Sequence, residues 1–177
     1  MLYTEDTYEV PGYPCFGQYR GRYTRGELRE LDAYADLMGI ELIPCIQTVS
    51  HLERVLRWPC MNAVQDDPST LLVGGEETER FVRALLTTVS GIFRSRRVHL
   101  GLDEAHGLGL GRRLSMYPYQ TKRELMARHL QLVRGICDEL GLRPMMWGDM
   151  LFRSYTEGNG YYQENIELPP QAREDVP

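Results

Sequence analysis

The sequence predicts an α/β protein, and more narrowly part of a (β/α)8 TIM-type barrel with about four parallel strands and three intervening helices. Short apolar runs alternate with longer helical patterns, which is typical of βαβ units. Polar residues collect where each apolar run ends, and in a barrel those ends share one face. A complete barrel has eight strands in about 250 residues, so 177 residues predict a piece of a larger barrel.

The first helix is predicted over residues 24–38. Thr24 and Glu27 have the spacing of a capping box, and Gly39 can end the helix. Apolar residues recur every three or four positions and predict one buried face. These residues are Leu28, Leu31, Ala35 and Met38.

Two more helices follow. Residues 76–93 carry acidic residues in the first turn, where the helix dipole favours them. Residues 121–140 repeat the Thr-x-x-Glu box and close at Gly141. Residues 51–75 are expected to be mostly irregular.

Four strands are predicted around these helices, although Pro44 weakens one of them because a central strand loses a ladder hydrogen bond there. The strands are the last residues of "MLYTED" at the front, 41–49, 97–103 and 143–151. Polar residues follow each strand, namely Glu5, Asp6, Gln47, Thr48, His51, Asp103, Glu104, Trp147 and Asp149. The "GLGLG" run at 107–111 lacks the spacing of a dinucleotide-binding turn.

Composition excludes several classes of function. The net charge is −5 and Lys122 is the only lysine, so no nucleic-acid-binding surface is expected. No apolar run reaches the roughly 20 residues that span a membrane. No zinc-type spacing is present, and we expect neither a metal nor a cofactor. Cys45 and Cys137 lie in apolar runs typical of buried free thiols, which slightly favours a reducing, cytoplasmic compartment without determining the location.

The stretch "RVHLGLDEAHG" at 97–107 holds the most informative residues. Alternation along a strand predicts that His99, Gly101 and Asp103 face a site, with space above Gly101 for a neighbour or a ligand. Asp103 and Glu104 are adjacent, and the charge on either disfavours ionisation of the other. One of the two can therefore stay protonated while the other is charged. Glycoside hydrolysis needs that division between an acid and a charge-stabilising group.

The segment "HLGLDE" at 99–104 resembles the His-x-Gly-x-Asp-Glu signature of glycoside hydrolase family 20, the β-N-acetylhexosaminidases. Other segments are similar to a bacterial branch of that family, in the same order along the chain. They are "YTEDTYE", "RGRYTRGEL", "PCIQTVSHL", "LDEAHGLGLG" and "MMWGDMLFR".

This resemblance implies a (β/α)8 barrel that removes terminal β-linked N-acetylhexosamine (GlcNAc or GalNAc) from a glycan or glycoside. The substrate's own 2-acetamido oxygen would attack the anomeric carbon, giving an oxazolinium intermediate and net retention. Glu104 would be the general acid and later the base, while Asp103 would accept from the acetamido N–H. The preference between gluco and galacto sugars is not encoded in these motifs.

Further positions follow from the same resemblance. His51 would support the catalytic carboxylate, His99 would be a polar strut beneath the acids, and Trp147 would line the sugar pocket. Four other polar residues would bind sugar hydroxyls or shape the rim, namely Asp149, Glu5, Asp6 and His106.

The resemblance also implies missing parts. Residues 1–154 would be the partial barrel and 155–177 a polar connection toward a next strand, with the family's sugar-binding arginine, tyrosine and other tryptophans outside the chain. We therefore expect little activity from this chain alone, and self-association through exposed sheet edges.

Two alternatives stay open from the residues. A non-catalytic sugar-binding fragment would bind a thiazoline mimic of N-acetylglucosamine without hydrolysing substrate. A metal-dependent barrel hydrolase would use imidazole and carboxylate ligands. Its candidate ligands are His51, His99, Asp103, Glu104 and His106.

Overall fold

Four parallel strands form one sheet in the order β1-β2-β3-β4 in the computed structural model, which describes residues 1–151. The strands are β1 Leu2–Tyr3, β2 Pro44–Cys45, β3 Arg97–His99 and β4 Arg143–Met145. The helices are α1 Arg25–Leu37, α2 Glu53–Leu56, α3 Glu76–Ser90, α4 Arg113–Met116 and α5 Lys122–Leu140, with a 3-10 helix at Pro59–Val64. The predicted connection at 155–177 lies outside the described residues.

The predicted helix starts are confirmed at the two capping boxes. Thr24 and Thr121 each accept a hydrogen bond from the backbone of the residue three positions later, and Glu27 and Glu124 bond back to the cap. Each box satisfies backbone N–H groups that the first helical turn leaves without a partner. Gly141 ends α5 in the left-handed conformation, with φ 64°.

The strands are shorter than the apolar runs that predicted them. β3 ends at His99 because Gly101 and Leu102 both adopt φ 73°. β4 ends at Met145, and residues 149–151 are helical rather than extended. Residues 51–75 are mostly irregular, as predicted, apart from α2 and the 3-10 helix.

Pro44 lies in an inner strand, where it is tolerated because one carbonyl finds another donor. Ile46 N–H donates to the carbonyl of His99, so the ladder would pair position 44 with the carbonyl of Arg97. That carbonyl lies 3.1 Å from the Ser95 hydroxyl, whose single proton is shared with the Glu41 carboxylate at 2.7 Å. The local contact offsets part of the hydrogen bond that proline cannot make.

The core lies between the sheet and the pair α3 and α5, which contact each other. Buried residues recur on the inner face of both helices, including Phe81 and Leu85 on α3 and Val133 and Ile136 on α5. Val98 and Leu100 are buried beneath them, as alternation along the strand predicted. This packing fixes the strands whose ends carry the polar residues.

The predicted apolar face of α1 is wrong beyond its first turn. Leu28 is buried together with Asp32, whose carboxylate accepts from Arg94 at 2.9 Å. Leu31 and Met38 are exposed, because the face of α1 that carries positions 28 and 32 is the one that packs against the core. Self-association through the sheet edges stays a prediction. The exposed apolar residues on α1 form a second surface through which chains can associate.

The cysteines divide into two classes. Cys45 and Cys137 are buried free thiols, as predicted. Cys15 and Cys60 form a disulfide between the loop after β1 and the 3-10 helix, a pairing for which the sequence made no prediction. Within residues 1–151, no helix is both long and apolar enough to cross a membrane.

His129 lies on α5 inside the core and makes stability depend on pH. Neither ring nitrogen makes a well-formed hydrogen bond. Burial lowers the pKa of His129 to about 4, and the nearby backbone of Thr48 opposes part of that shift. The native state therefore holds this side chain neutral where the unfolded chain already binds a proton.

We expect stability to be undiminished by His129 above pH 6.5 and to fall as the pH drops toward 4. The native pKa is depressed, so the loss relative to a chain without the histidine should reach about 2 kcal/mol at pH 5. Urea denaturation of the native chain and of His129→Leu between pH 7 and pH 4 measures it. Parallel pH dependences in the two chains would contradict the prediction.

Candidate active site

The polar residues that follow the four strands meet at the carboxyl edge of the sheet. Neighbouring parallel strands bring together loops that are far apart in sequence, because all of their carboxyl ends point the same way. The pair Asp103 and Glu104 lies at the end of β3, between His51 after β2 and Trp147 after β4. Glu5 and Asp6 follow the outer strand β1.

A left-handed backbone, rather than strand alternation, aims the carboxylate pair. Gly101 and Leu102 have φ 73° and Glu104 has φ 49°. A left-handed residue other than glycine costs roughly 1–2 kcal/mol, and such strain concentrates at functional sites. The predicted alternation through Asp103 is therefore wrong, because the extended conformation ends before it.

Gly101 leaves room for a neighbouring side chain. A Cβ at this position would lie 2.0 Å from Oε1 of Gln47. The sequence predicted that either a neighbouring side chain or a ligand occupies this space. The structure shows that a neighbouring side chain occupies it. Gln47 is buried, and its amide nitrogen reaches across β3 to the carboxylate of Asp103.

Asp103 is held by donors from the β2 loop. Its Oδ1 accepts from Gln47 Nε2 at 3.1 Å, and its Oδ2 lies 3.3 Å from His51 Nε2. Its backbone carbonyl accepts from the Ser50 hydroxyl. The Gln47 hydrogen bond and the His51 ring approach different oxygens, so the Asp103 carboxylate is an oriented hydrogen-bond acceptor.

Glu104 is more open to solvent than its neighbour. Its side chain is 46% exposed, against 24% for Asp103. Its carboxylate lies 3.7 Å from Nε2 of His51, and its backbone N–H donates to Asp149 Oδ2 at 3.0 Å. The backbone is thus fastened to the β4 loop while the carboxyl group faces the open edge.

His99 and Trp147 form a layer beside the acids. Their ring centroids are 4.7 Å apart, and Trp147 is 45% exposed while His99 is buried. Nδ1 of His99 accepts from Gly101 N–H at 3.2 Å, and Trp147 N–H donates to the carbonyl of Gly101 at 3.1 Å. Burial lowers the pKa of His99 while the charge of Asp103 opposes that shift, which favours a neutral ring that accepts this bond.

Glu5 and Asp6 form a second charged group, together with Arg20 from the loop after β1. Arg20 lies 2.6 Å from Glu5 Oε2 and 3.4 Å from Asp6 Oδ1. Asp6 is buried, and desolvation raises the pKa of its carboxyl although Arg20 opposes the rise. Tyr3 connects the two groups, because its hydroxyl lies 3.4 Å from the amide nitrogen of Gln47.

His106 is exposed in the loop that follows the acids. Its N–H donates to the carbonyl of Glu104 at 2.6 Å, and its own carbonyl accepts from the Lys122 side chain. The structure therefore places its backbone at the rim that the sequence predicted.

Gln47 and Tyr3 are the contributors that sequence reasoning missed. The sequence identified Gln47 only as a polar residue at a strand end and predicted no partner for it. Its signal lies in Gly101, since a glycine inside an apolar strand can mark a close approach of another group. Which group approaches depends on the register of β2 against β3, in which Cys45 pairs with His99.

The arrangement suits acid–base chemistry. An oriented carboxylate, a more open carboxyl group and a histidine within 4 Å of both provide a donor, an acceptor and a support. Across residues 1–151, no cluster of three or more His, Cys, Asp or Glu side chains has the arrangement of a metal site. This observation gives the metal-dependent alternative no geometric support in the described part of the chain.

Comparison with known proteins places this geometry in a family. The family model for the glycosyl hydrolase family 20 catalytic domain matches residues 3–165. Hexosaminidase D from Bos taurus is 28% identical over 163 residues, which cover 85% of this chain and 46% of the bovine protein. Hexosaminidase D from Homo sapiens is also 28% identical, with 33% of its length covered. The chain thus spans less than half the length of these relatives.

Solved structures share the fold. The family 20 β-N-acetylhexosaminidase of Streptomyces coelicolor superposes with a TM-score of 0.70 at 20% identity, covering 85% of this chain and 33% of that one. A Streptomyces plicatus β-hexosaminidase mutant in complex with the product GlcNAc gives 0.66 at 19% identity, covering 82% and 32%. The predicted partial barrel is confirmed by these matches.

We expect Gly101→Ala to destabilise the protein by about 1–2 kcal/mol from its left-handed backbone alone. The clash with Gln47 should increase the loss and displace the donor to Asp103. Chemical denaturation gives the change in the free energy of unfolding.

Gly135→Ala is the matched control, because it lies exposed in α5 with nothing within 4 Å of an added Cβ. It should be neutral or stabilising by up to about 1 kcal/mol. Equal stability of the two variants would contradict the close approach at Gly101.

Proposed function

The chain belongs to glycoside hydrolase family 20, and from that premise we propose that it carries the acid-bearing part of a retaining, substrate-assisted β-N-acetylhexosaminidase. Its substrate would be a glycan or glycoside ending in β-linked N-acetylhexosamine. The observation that carries the proposal is the approach of both acids to one histidine at a left-handed turn, with His51 Nε2 3.3 Å from Asp103 and 3.7 Å from Glu104.

In the first step, Glu104 gives its proton to the glycosidic oxygen as the bond from that oxygen to the anomeric carbon breaks. The carbonyl oxygen of the substrate's 2-acetamido group forms a new bond to the same carbon, and the ring charge passes to an oxazolinium ion. The family is an exception to the scheme in which a protein carboxylate is the nucleophile. Adjacent acids therefore serve two neighbouring substituents of one sugar.

In the second step, a water molecule loses its proton to the ionised Glu104 and attacks the anomeric carbon from the side that the leaving group vacated. The oxazolinium ring opens, the acetamido group is restored and Glu104 is protonated again. Two inversions give net retention. The exposure of the Glu104 side chain supports this role, because both the leaving group and the water must reach it.

Asp103 is suited to the acetamido group. Gln47 and His51 hold its two oxygens at 3.1 and 3.3 Å, which orients the carboxylate as an acceptor for the acetamido N–H. A charge held there also stabilises the positive charge that develops on the oxazolinium ion. Orientation before the reaction matters because the transition state then needs no rearrangement of the protein.

The surrounding residues supply contacts for the sugar. The Trp147 side chain is exposed, and its ring packs against the ring of His99. One face of the Trp147 ring therefore remains open for packing against a sugar. Asp149 and Glu5 lie at the ends of flanking strands, and we assign them to sugar hydroxyls together with the buried Asp6. His106 lies at the rim and contributes to its shape.

Leaving-group dependence separates the roles of the two acids. In a polypeptide that supplies the rest of the barrel, Glu104→Gln should lower kcat/KM about 10²–10⁴-fold on a disaccharide and much less on a nitrophenyl glycoside. A nitrophenolate leaves with little help from an acid. Asp103→Asn should lower kcat by a similar factor on both substrates, because both need the acetamido attack.

Asp138→Asn, on an exposed position of α5, makes the same chemical change outside the site and should leave kcat unaltered. Hydrolysis that survives either substitution of the pair nearly intact would show that the roles are assigned wrongly. Equal losses of kcat/KM for Glu104→Gln on both substrates would remove the general-acid role, because kcat/KM reports only the steps up to departure of the leaving group.

The 177-residue chain alone should turn over a nitrophenyl β-N-acetylglucosaminide slowly or not at all. The relatives have more than twice the chain that is matched here, and preorganised surroundings supply much of an enzyme's rate. Purified chain assayed for released nitrophenol measures this. Robust turnover, lost in Asp103→Asn, would overturn it.

A further inference from the structure

The loop at 107–111 has the sequence "GLGLG", and its glycines have a structural role rather than a phosphate-binding one. We call it the glycine loop. It begins three residues after Glu104 and packs against a turn at 66–70, which we call the bracket turn. The two segments approach so closely that side chains are excluded from one of them.

The missing Cβ atoms show how close the approach is. A Cβ on Gly107 would lie 1.7 Å from Oδ2 of Asp67, and one on Gly111 would lie 2.3 Å from the carbonyl of Asp66. Gly109 has φ 75°, and a Cβ there would meet Leu125 at 2.3 Å. Alternate glycines therefore let the loop lie directly on the bracket turn and α5.

Asp66 fastens the glycine loop through its side chain and backbone. Its buried carboxylate accepts from Gly109 N–H at 2.9 Å and from Arg113 N–H at 2.7 Å. Its carbonyl accepts from Arg112 N–H at 2.9 Å. Three backbone donors on one residue form a stronger clamp than a neutral turn, because two of them meet an ionised group.

The bracket turn and the residue after it also hold the loop that carries His51. Leu52 N–H donates to the carbonyl of Ser69 in the turn at 3.2 Å, and N–H of Leu71, the next residue after the turn, donates to the carbonyl of Val49 at 2.9 Å. These two bonds fall on either side of His51. One short turn is therefore bonded both to the His51 loop and to the segment that follows Glu104.

We propose that Asp66 is a positioning residue, which sets the distance between His51 and Glu104 by clamping the glycine loop to the bracket turn. The proposal rests on the proposed function for its catalytic meaning, although the clamp can be measured without turnover. The opposite end of the Glu104 segment is fixed by Asp149 and Lys122, so Asp66 completes its attachment.

The test measures the coupling between Glu104 and His51 in the full chain. NMR signals of the His51 ring at one fixed pH are compared in the native chain, Glu104→Gln, Asp66→Asn and the double variant. Glu104→Gln should move these ring signals in the native background, because the Glu104 carboxylate lies 3.7 Å from Nε2 of His51. In the Asp66→Asn background the same substitution should move them by less than half as much.

Asp66→Asn preserves shape but not hydrogen bonding. Its NH2 group would face one of the two N–H donors, Gly109 or Arg113, so one bond is lost and a repulsive contact replaces it. Asp138→Asn is the control, since Asp138 is 69% exposed and its only described ion pair is with Arg134 at 3.8 Å. The Glu104→Gln shift should keep its native size in that background.

A purely structural role would leave the coupling intact. If Glu104→Gln moves the His51 ring signals equally with and without Asp66, Asp66 does not position the pair and the proposal fails. Loss of coupling in a chain that hydrolyses nothing, even with the rest of the barrel supplied, would support the clamp and count against the proposed function. The two proposals can thus fail separately.

Hydrogen exchange of the native chain decides the case in which Asp66→Asn does not fold. The amides of Gly109, Arg113 and Glu104 should then open together, with opening constants within about threefold of one another. Opening of Glu104 more than about tenfold more frequent than opening of Gly109 would show that the clamp does not hold the acid, and would overturn the proposal.

Discussion

The site depends on a backbone that turns left-handed immediately after β3. Gly101 and Leu102 both have φ 73°, and Glu104 follows at 49°. The turn lets Gln47 pass over Gly101 to reach Asp103, and it sends Glu104 toward the open edge. Strain of this kind persists only where the surroundings determine it fully. Here the surroundings are the buried Val98 and Leu100 on one side and the bonds of the β2 and β4 loops on the other.

The two acids that follow β3 are each held by a loop from a different strand. Asp103 is oriented from the β2 loop by Gln47 and His51, while the backbone of Glu104 is held from the β4 loop by Asp149. A parallel sheet makes this possible, because consecutive loops emerge at one edge. Several contacts from separate loops, rather than one dominant interaction, hold the two acids. This arrangement explains how two adjacent acids can serve different substituents of a sugar.

Sequence reasoning succeeded where the signal is local. The capping boxes at Thr24 and Thr121 placed two helix starts to the residue, since both partners lie within four positions. It failed where the outcome depends on distant chain. The apolar run after Arg97 looked like a strand through Asp103, but apolar residues fit a buried turn as well as a buried strand. The face of α1 was misjudged because periodicity does not say which neighbour is present.

The sequence by itself determined the α/β class, the order of the elements, the adjacency of Asp103 and Glu104 and the family signature that contains them. Only the tertiary structure decided that His51 lies 3.3 Å from Asp103, that Gln47 occupies the space above Gly101 and that Asp66 clamps the glycine loop. The physical reason is the range of each interaction. Caps and patterns act within a few residues, whereas these contacts join positions 43 to 54 residues apart, and strand register and backbone handedness decide which of them form.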